Sequence, residues 1–151
     1  MSTIQRQAVK SIIHSQAGFS ILEILIGLTL IGFAGTFVAT KVYDRLEEGR
    51  QQTAKIQISK LGEALRDFRR HCGFFPTSDQ GLQALIERPG GRECKRYAPG
   101  GYLSKDTVPL DPWDYEYVYE SDGKTYKIIS FGSDNSEGGE GFDADISSDQ
   151  I

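Results

Sequence analysis

The chain has 151 residues and a formal charge of −4, with 38% apolar and 25% charged residues, which leaves room for about one domain, two at the most, and excludes bulk disorder. The charge is uneven: +2 over residues 1–18, −1 over 19–40, +5 over 41–105 and −10 over 106–151. A general nucleic-acid binder, which needs a net basic face, is disfavoured, and so is an ordinary cytosolic domain, because a charge-poor apolar block lies near the N-terminus.

In chain order, Arg6 and Lys10 are the charges of residues 1–18. Residues 19–40 then read FSILEILIGLTLIGFAGTFVAT, 22 residues with Glu23 as the single charge. As a helix this block spans a hydrocarbon core of about 30 Å, whereas a core helix of a soluble domain would keep a polar stripe. The preceding positive charges orient the N-terminus to the cytoplasm and residues 41–151 to the far side. A cleavable secretory signal would have a shorter apolar region, about 7–15 residues, ending at a small-x-small site, and the block has no good site of that kind. Glu23 is costly inside a membrane, about 2.5–3.5 kcal/mol on insertion scales. Either it lies near the interface and snorkels, or it has a positive partner. Cleavage after Gly18 would supply one, the α-amino group of Phe19 on a neighbouring chain. A carboxylate on each subunit neutralising the N-terminus of the next is a heterologous contact, and such contacts build filaments when they do not close.

No proline precedes Pro76, so one helix is expected from about residue 19 to 71. Ala54, Ile58, Leu61, Leu65, Phe68 and Cys72 step by three and four, a stripe that needs an apolar partner. Arg66, Arg69 and Arg70 fall off it and are read as solvated. Gly73 and Pro76 stop the helix. Thr77 and Gln80 have capping-box spacing, which predicts a short helix over about 78–87 with Leu82, Leu85 and Ile86 facing the core. Residues 90–101 read as a loop. Residues 115–120 (YEYVYE) and 126–131 (YKIISF) are strand-like, and Asp122-Gly123 between them predicts a hairpin. Residues 132–146 are glycine- and acid-rich without periodicity. The architecture is α+β, a long helix whose second half packs on a small antiparallel sheet. Cys72 and Cys94 lie in the exported part, where oxidising conditions allow a disulfide contributing roughly 3 kcal/mol; two free buried thiols are the alternative.

The tail offers Asp134, Asn135, Glu137, Glu140, Asp143 and Asp145 among glycines that bend the chain. Calcium takes six to eight oxygen ligands on such flexible loops, and the absence of His and Cys argues against zinc or copper. The spacing is not that of an EF-hand. A solvated acidic loop with Asx turns is the alternative.

The N-terminal pattern resembles the type IV pilin and pseudopilin superfamily: a short basic leader, Gly18 followed by Phe19, Glu23 as the fifth residue after that junction, and an apolar helix. Further on, Phe75-Pro76-Thr77, Asp79-Gln80-Gly81-Leu82 and Ala84-Leu85 resemble the segment after the long helix in major pseudopilins of type II secretion systems. Gly101-Tyr102-Leu103 and Val108-Pro109-Leu110-Asp111-Pro112-Trp113 resemble that family's lead-in to its sheet. Gly132-Ser133-Asp134, Glu137 to Gly141 and Asp143 to Ile146 resemble its C-terminal calcium loop. There are departures. Asp114-Tyr115 stand where the family often has Gly-Asn, Thr40 stands where many members have proline, and the cysteine pair and the segment Gly90 to Lys95 are not features of the family.

The resemblance implies that residues 1–18 are a leader removed by a prepilin peptidase, which methylates the Phe19 amine. It implies a transmembrane and assembly helix over 19–40 and a periplasmic pseudopilin domain over 41–151. Asp134, Asp143 and Asp145 would be side-chain ligands of calcium, with backbone carbonyls near Ser130 and Ser133. The implied role is structural: a homopolymeric fibre that drives folded proteins through an outer-membrane secretin. Its partners would be minor pseudopilins, an inner-membrane assembly platform with its ATPase, and membrane lipid, with no nucleic acid. A type IV or competence pilin is the alternative, and a non-polymerising, membrane-tethered calcium module is a third reading. An enzyme is disfavoured, because His14 and His71 are the only histidines and neither the HExxH nor the P-loop pattern occurs. The +5 and −10 blocks could meet between neighbouring subunits, or both could simply face solvent.

Overall fold

The computed structural model of the protein describes residues 19–151. Its principal elements are α1 (Ile21–Cys72), β1 (Val118–Ser121), β2 (Tyr126–Ser130) and β3 (Ile146–Ser147). The three strands form one antiparallel sheet in the order β1-β2-β3. By its internal contacts the chain divides after Lys41, and Val42–Ile151 forms one compact unit.

Within that unit the apolar stripe of α1 is the core. Ala54, Ile58, Leu61, Leu65 and Phe68 are all buried at 1% exposure or less, as their helical spacing requires. They join Phe74, Phe75, Leu82, Leu85, Tyr117, Ile128 and Ile146 in one cluster. Arg66, Arg69 and Arg70 are exposed. Gly62 lets the sheet come close, since a Cβ there would lie 2.8 Å from the Tyr126 hydroxyl. The helix closes at Gly73, whose N–H donates to the Arg69 carbonyl at 2.7 Å with φ at +82°; this is the left-handed position that glycine occupies at least cost.

Three expectations are corrected. The helix over 78–87 is a turn followed by a 3₁₀ segment, Leu82–Leu85. Gln80 does reach back to the Thr77 N–H at 3.0 Å, but Gly81 at φ +60° breaks the turn before a helix propagates. Leu82 and Leu85 are buried all the same. The first hairpin strand begins at Val118 rather than at residue 115, because Asp111 to Tyr115 close a turn of their own: the Asp111 N–H donates to the Tyr115 carbonyl at 2.8 Å. Asp114 adopts φ +68° there, a left-handed conformation that Asp tolerates better than most side chains. Finally, the aperiodic tail contains β3, pairing Ile129 with Ser147 and Ser130 with Ile146. The hairpin turn itself follows its sequence: Asp122 Oδ1 accepts the N–H groups of Lys124 and Thr125, both at 2.8 Å. These bonds hold its carboxyl below the usual range.

In the last turns of α1, Phe68 makes edge contacts with Phe74 and Tyr97 and a tilted contact with Tyr102, at centroid distances of 5.7, 6.1 and 5.4 Å. A disulfide joins Cys72 to Cys94, with their Cα atoms 4.7 Å apart, and closes the intervening loop over this cluster. Tyr97 donates to the Ala84 carbonyl at 3.2 Å, and burial pushes its hydroxyl pKa up. Tyr119 donates to the Pro76 carbonyl at 2.8 Å and is pushed up to about 12 by burial. Both therefore stay neutral donors across the physiological range. Phe68→Ala is expected to cost about 3–5 kcal/mol, the range for a fully buried aromatic. Urea unfolding of the detergent-solubilised chain, followed by the fluorescence of its single tryptophan, Trp113, measures this.

Candidate functional site

Two regions carry the residues singled out by sequence, the N-terminal stretch of α1 and the loop between β2 and β3. In the first, Ser20 precedes the helix and accepts the Leu22 N–H on its Oγ at 3.3 Å, while its carbonyl accepts the Ile24 N–H at 3.1 Å. Ser20 is thus the N-cap. Glu23 falls three residues later in the first helical turn, where the helix dipole favours negative charge. Ser20-x-x-Glu23 is also a capping-box pattern, a local reason for a carboxylate at this position that the spacing had not brought forward. Among the described residues nothing forms a hydrogen bond or ion pair with the Glu23 carboxylate. Gly18 and the rest of residues 1–18 lie outside the described residues, so the cleavage junction is seen only from the Phe19 side, which is exposed.

The rest of the stretch is apolar and unpartnered. Ile21, Leu22, Leu25, Leu28, Leu30, Ile31, Phe33 and Phe37 are each more than half exposed. Its hydroxyls bond back to its own backbone: Thr29 to the Leu25 carbonyl at 2.7 Å, Thr36 to Gly32 at 3.1 Å and Thr40 to Phe37 at 2.9 Å. Polar atoms satisfied within one helix are the condition for immersion in lipid. By length and composition this helix can cross a membrane. Thr40 lies within α1, which continues through it without a break.

The second region starts where β2 ends. Ser130 is buried and donates its hydroxyl to Asp111 Oδ2 at 2.6 Å. Asp111 Oδ1 accepts the N–H groups of Trp113 at 3.0 Å and Tyr115 at 2.9 Å. The Trp113 indole donates in turn to Glu47 Oε2 on α1 at 2.9 Å, and Arg50 holds the other oxygen at 2.9 Å. Glu47 is buried at 1% exposure. This chain of bonds, from helix to turn to strand, was not foreseen. Its signal was present, since Glu47 and Gln51 continue the apolar stripe of α1 as polar residues. Gln51 donates to the Gly141 carbonyl at 2.7 Å and so holds the acidic loop against the helix.

Inside the loop the three candidate ligands each have a local partner. Asp134 Oδ1 accepts the Ser136 N–H at 3.1 Å. Asp143 Oδ1 accepts the Ser133 hydroxyl. Asp145 Oδ2 accepts the Gly138 N–H at 3.0 Å, while its Oδ1 is buried with no hydrogen-bond partner. The loop folds tightly on itself: a Cβ on Gly139, at φ +83°, would collide with the Asp143 carbonyl. Among the described residues no three carboxylate, imidazole or thiol groups gather closely enough to hold a metal ion. The donors present are oxygens, which suits calcium, and the Asp145 oxygen is, among the described residues, the one buried side-chain polar atom without a hydrogen-bond partner.

The chain matches known proteins over most of its length. A family model described as type II secretion system (T2SS), protein G matches residues 41–149. The type II secretion system core protein G of Vibrio cholerae serotype O1 is 36% identical over 135 residues, covering 88% of this chain and 91% of the relative. That of Pseudomonas aeruginosa is 32% identical over 136 residues, covering 88% and 94%. Among solved structures, the major pseudopilin from the type 2 secretion system of enterohaemorrhagic Escherichia coli aligns with a TM-score of 0.60 at 26% identity, over 71% of this chain and 92% of that one. With its long N-terminal helix on a small antiparallel sheet, the chain belongs to the type II secretion system protein G family, the major pseudopilins.

Proposed function

We propose that this chain is made with a leader, is cleaved after Gly18, and assembles through the Phe19–Thr40 helix into the periplasmic fibre of a type II secretion system. The family role is that of a structural subunit which polymerises into a pseudopilus and drives export of folded proteins. The observation that carries the finer reading is Glu23: a carboxylate without a partner among the described residues, in the first turn of an otherwise apolar, exposed stretch of helix. In lipid it needs a cation. The α-amino group created at Phe19 of a neighbouring subunit would supply one and would set the axial register between parallel helices. The residue chemistry supports a subunit without catalytic activity of its own. Cleavage falls to a prepilin peptidase and the work of assembly to an ATPase at an inner-membrane platform. Minor pseudopilins and an outer-membrane secretin complete the partner set. The subunit would be held in the inner membrane before assembly.

The second part of the reading is calcium in the C-terminal loop. Asp134, Asp143 and Asp145 would supply carboxylates, and carbonyls near Ser130 and Ser133 would complete the shell. The orphaned Oδ1 of Asp145 supports this, since a cation would satisfy it. Calcium would offset the mutual repulsion of the loop carboxylates and tie the tail to β2 and β3.

Intact mass and N-terminal analysis of the mature membrane form should find the chain starting at methylated Phe19; a chain still starting at Met1 would contradict the processing reading. Glu23→Ala should leave the protein in the membrane but abolish sheared fibres and secretion, and wild-type levels of both would remove Glu23 from the assembly contact. Calcium should raise the melting temperature of the wild-type chain relative to chelator, because a ligand that binds only the folded state stabilises it by mass action. Asp145→Asn should lose most of that difference, and equal melting temperatures of the wild type in the two conditions would count against the site.

A further inference from the structure

The segment Gly90 to Lys95, joined to α1 by the Cys72–Cys94 disulfide, carries cations to one end of the unit. Arg66, Arg69, Arg88, Arg92, Lys95 and Arg96 are all exposed. None forms an ion pair with a carboxylate among the described residues, although Glu63, Glu87 and Glu93 lie in the same stretches. Three of the cations are held in place by aromatic rings. Arg92 lies 4.3 Å from the Phe74 centroid, Arg69 4.9 Å from Phe75 and Arg88 5.8 Å from Tyr97. Stacking of this kind restrains a guanidinium while leaving its N–H groups free to bond. The Cys72–Cys94 bond and the Gln80 side chain, which donates to the Gly90 carbonyl at 2.8 Å, fix the loop that carries them.

The opposite charge lies elsewhere on the same unit. Asp134, Glu137, Glu140, Asp143, Asp145 and Asp149 are the charged residues from 132 to the C-terminus. Of these only Asp149 has an ion-pair partner among the described residues, Lys127 at 3.8 Å. Gln51 anchors this loop beside α1, whereas the cations surround Cys72. The two positions on α1 are about 30 Å apart at 1.5 Å per residue. The two surfaces therefore cannot neutralise each other within one chain, and screening over about 8 Å at physiological salt removes any longer-range effect.

We propose that the guanidinium patch around the Cys72–Cys94 disulfide is the docking surface for the acidic loop, residues 134–143, of a second copy of this chain. Two copies that point the same way and are shifted along the helix axis bring patch to loop. The surfaces are different, so the contact is heterologous and leaves an open patch at one end and an open loop at the other. Repetition then gives a filament. Glu137 and Glu140 are exposed carboxylates of the loop and stand outside the proposed calcium ligand set, so they remain available with the cation bound. The proposal rests on the fibre reading above and adds a contact in the exported domain that is independent of Glu23.

The test uses the full chain in secretion-competent cells, read by sheared fibre yield and by secretion. Arg92→Glu with Arg96→Glu, and separately Glu137→Arg with Glu140→Arg, should each reduce fibre yield by about tenfold, the scale of losing a close charge pair at an interface. Combining the four substitutions should restore it. Two outcomes overturn the proposal: reversed-charge variants that assemble as the wild type does, or a combined variant that stays as defective as its parents. A photo-crosslinker at position 92 should join to residues 132–149 of another copy. A product with lipid or with a different protein would instead assign the patch to that partner and also overturn the proposal. Glu23→Ala runs in parallel. Fibres that survive it remove Glu23 from the assembly contact, absence of sheared fibres from the wild type undoes the fibre reading, and fibres lost with Glu23→Ala but kept in the charge reversals undo only the docking contact.

Discussion

Trp113 ties the exported unit together. Its indole N–H is taken by Glu47 on α1, and its backbone N–H by Asp111, which also holds Ser130 at the end of β2. Glu47 and Asp111 are buried carboxylates, 1% and 4% exposed, and burial of an unpaired carboxylate would be prohibitive. Here each oxygen has a donor: Arg50 and the indole for Glu47, two backbone N–H groups and a hydroxyl for Asp111. Such a network specifies one arrangement of helix, turn and strand more narrowly than apolar packing does, because displacing any member leaves a buried charge short of donors. It also fixes where β2 ends, and hence where the acidic loop starts.

From that point the two ends of the unit differ in how they are held. Near Gln51 the loop is kept by hydrogen bonds and glycine-dependent close approaches, with one carboxylate oxygen left over. Near Cys72 the chain is kept by edge-to-face rings and a covalent bond. The first arrangement suits a loop that takes up a cation. The second suits a rigid platform that presents guanidinium groups without ordering them at the moment of contact. Both lie in the unit that begins at Val42, and the apolar stretch before it carries Glu23 in its first turn.

Much of this was legible beforehand because the signals are local or periodic. The stripe from Ala54 to Phe68 had to be buried, since a helix places those residues on one side. Gly73 had to end the helix, and Asp122-Gly123 had to turn the hairpin. Less legible was the segment after Pro76, where the capping-box spacing is real but Gly81 takes a positive φ that the pattern does not reveal. The strand β3 was invisible for another reason: two residues have no period, and Ile146 and Ser147 become a strand only because β2 offers them an edge.

The sequence by itself determined the class of molecule: an apolar helix with one acidic residue at its head, an amphipathic continuation, a hairpin and an acidic tail. These follow from residue spacing and charge, which act over a few turns of chain. Only the tertiary structure decided which polar residues are buried together, that Cys94 meets Cys72, and that the basic and acidic surfaces are too far apart to satisfy each other. Those are contacts between residues distant along the chain. Burial, hydrogen-bond donors and free charges exist only once such residues have been brought together.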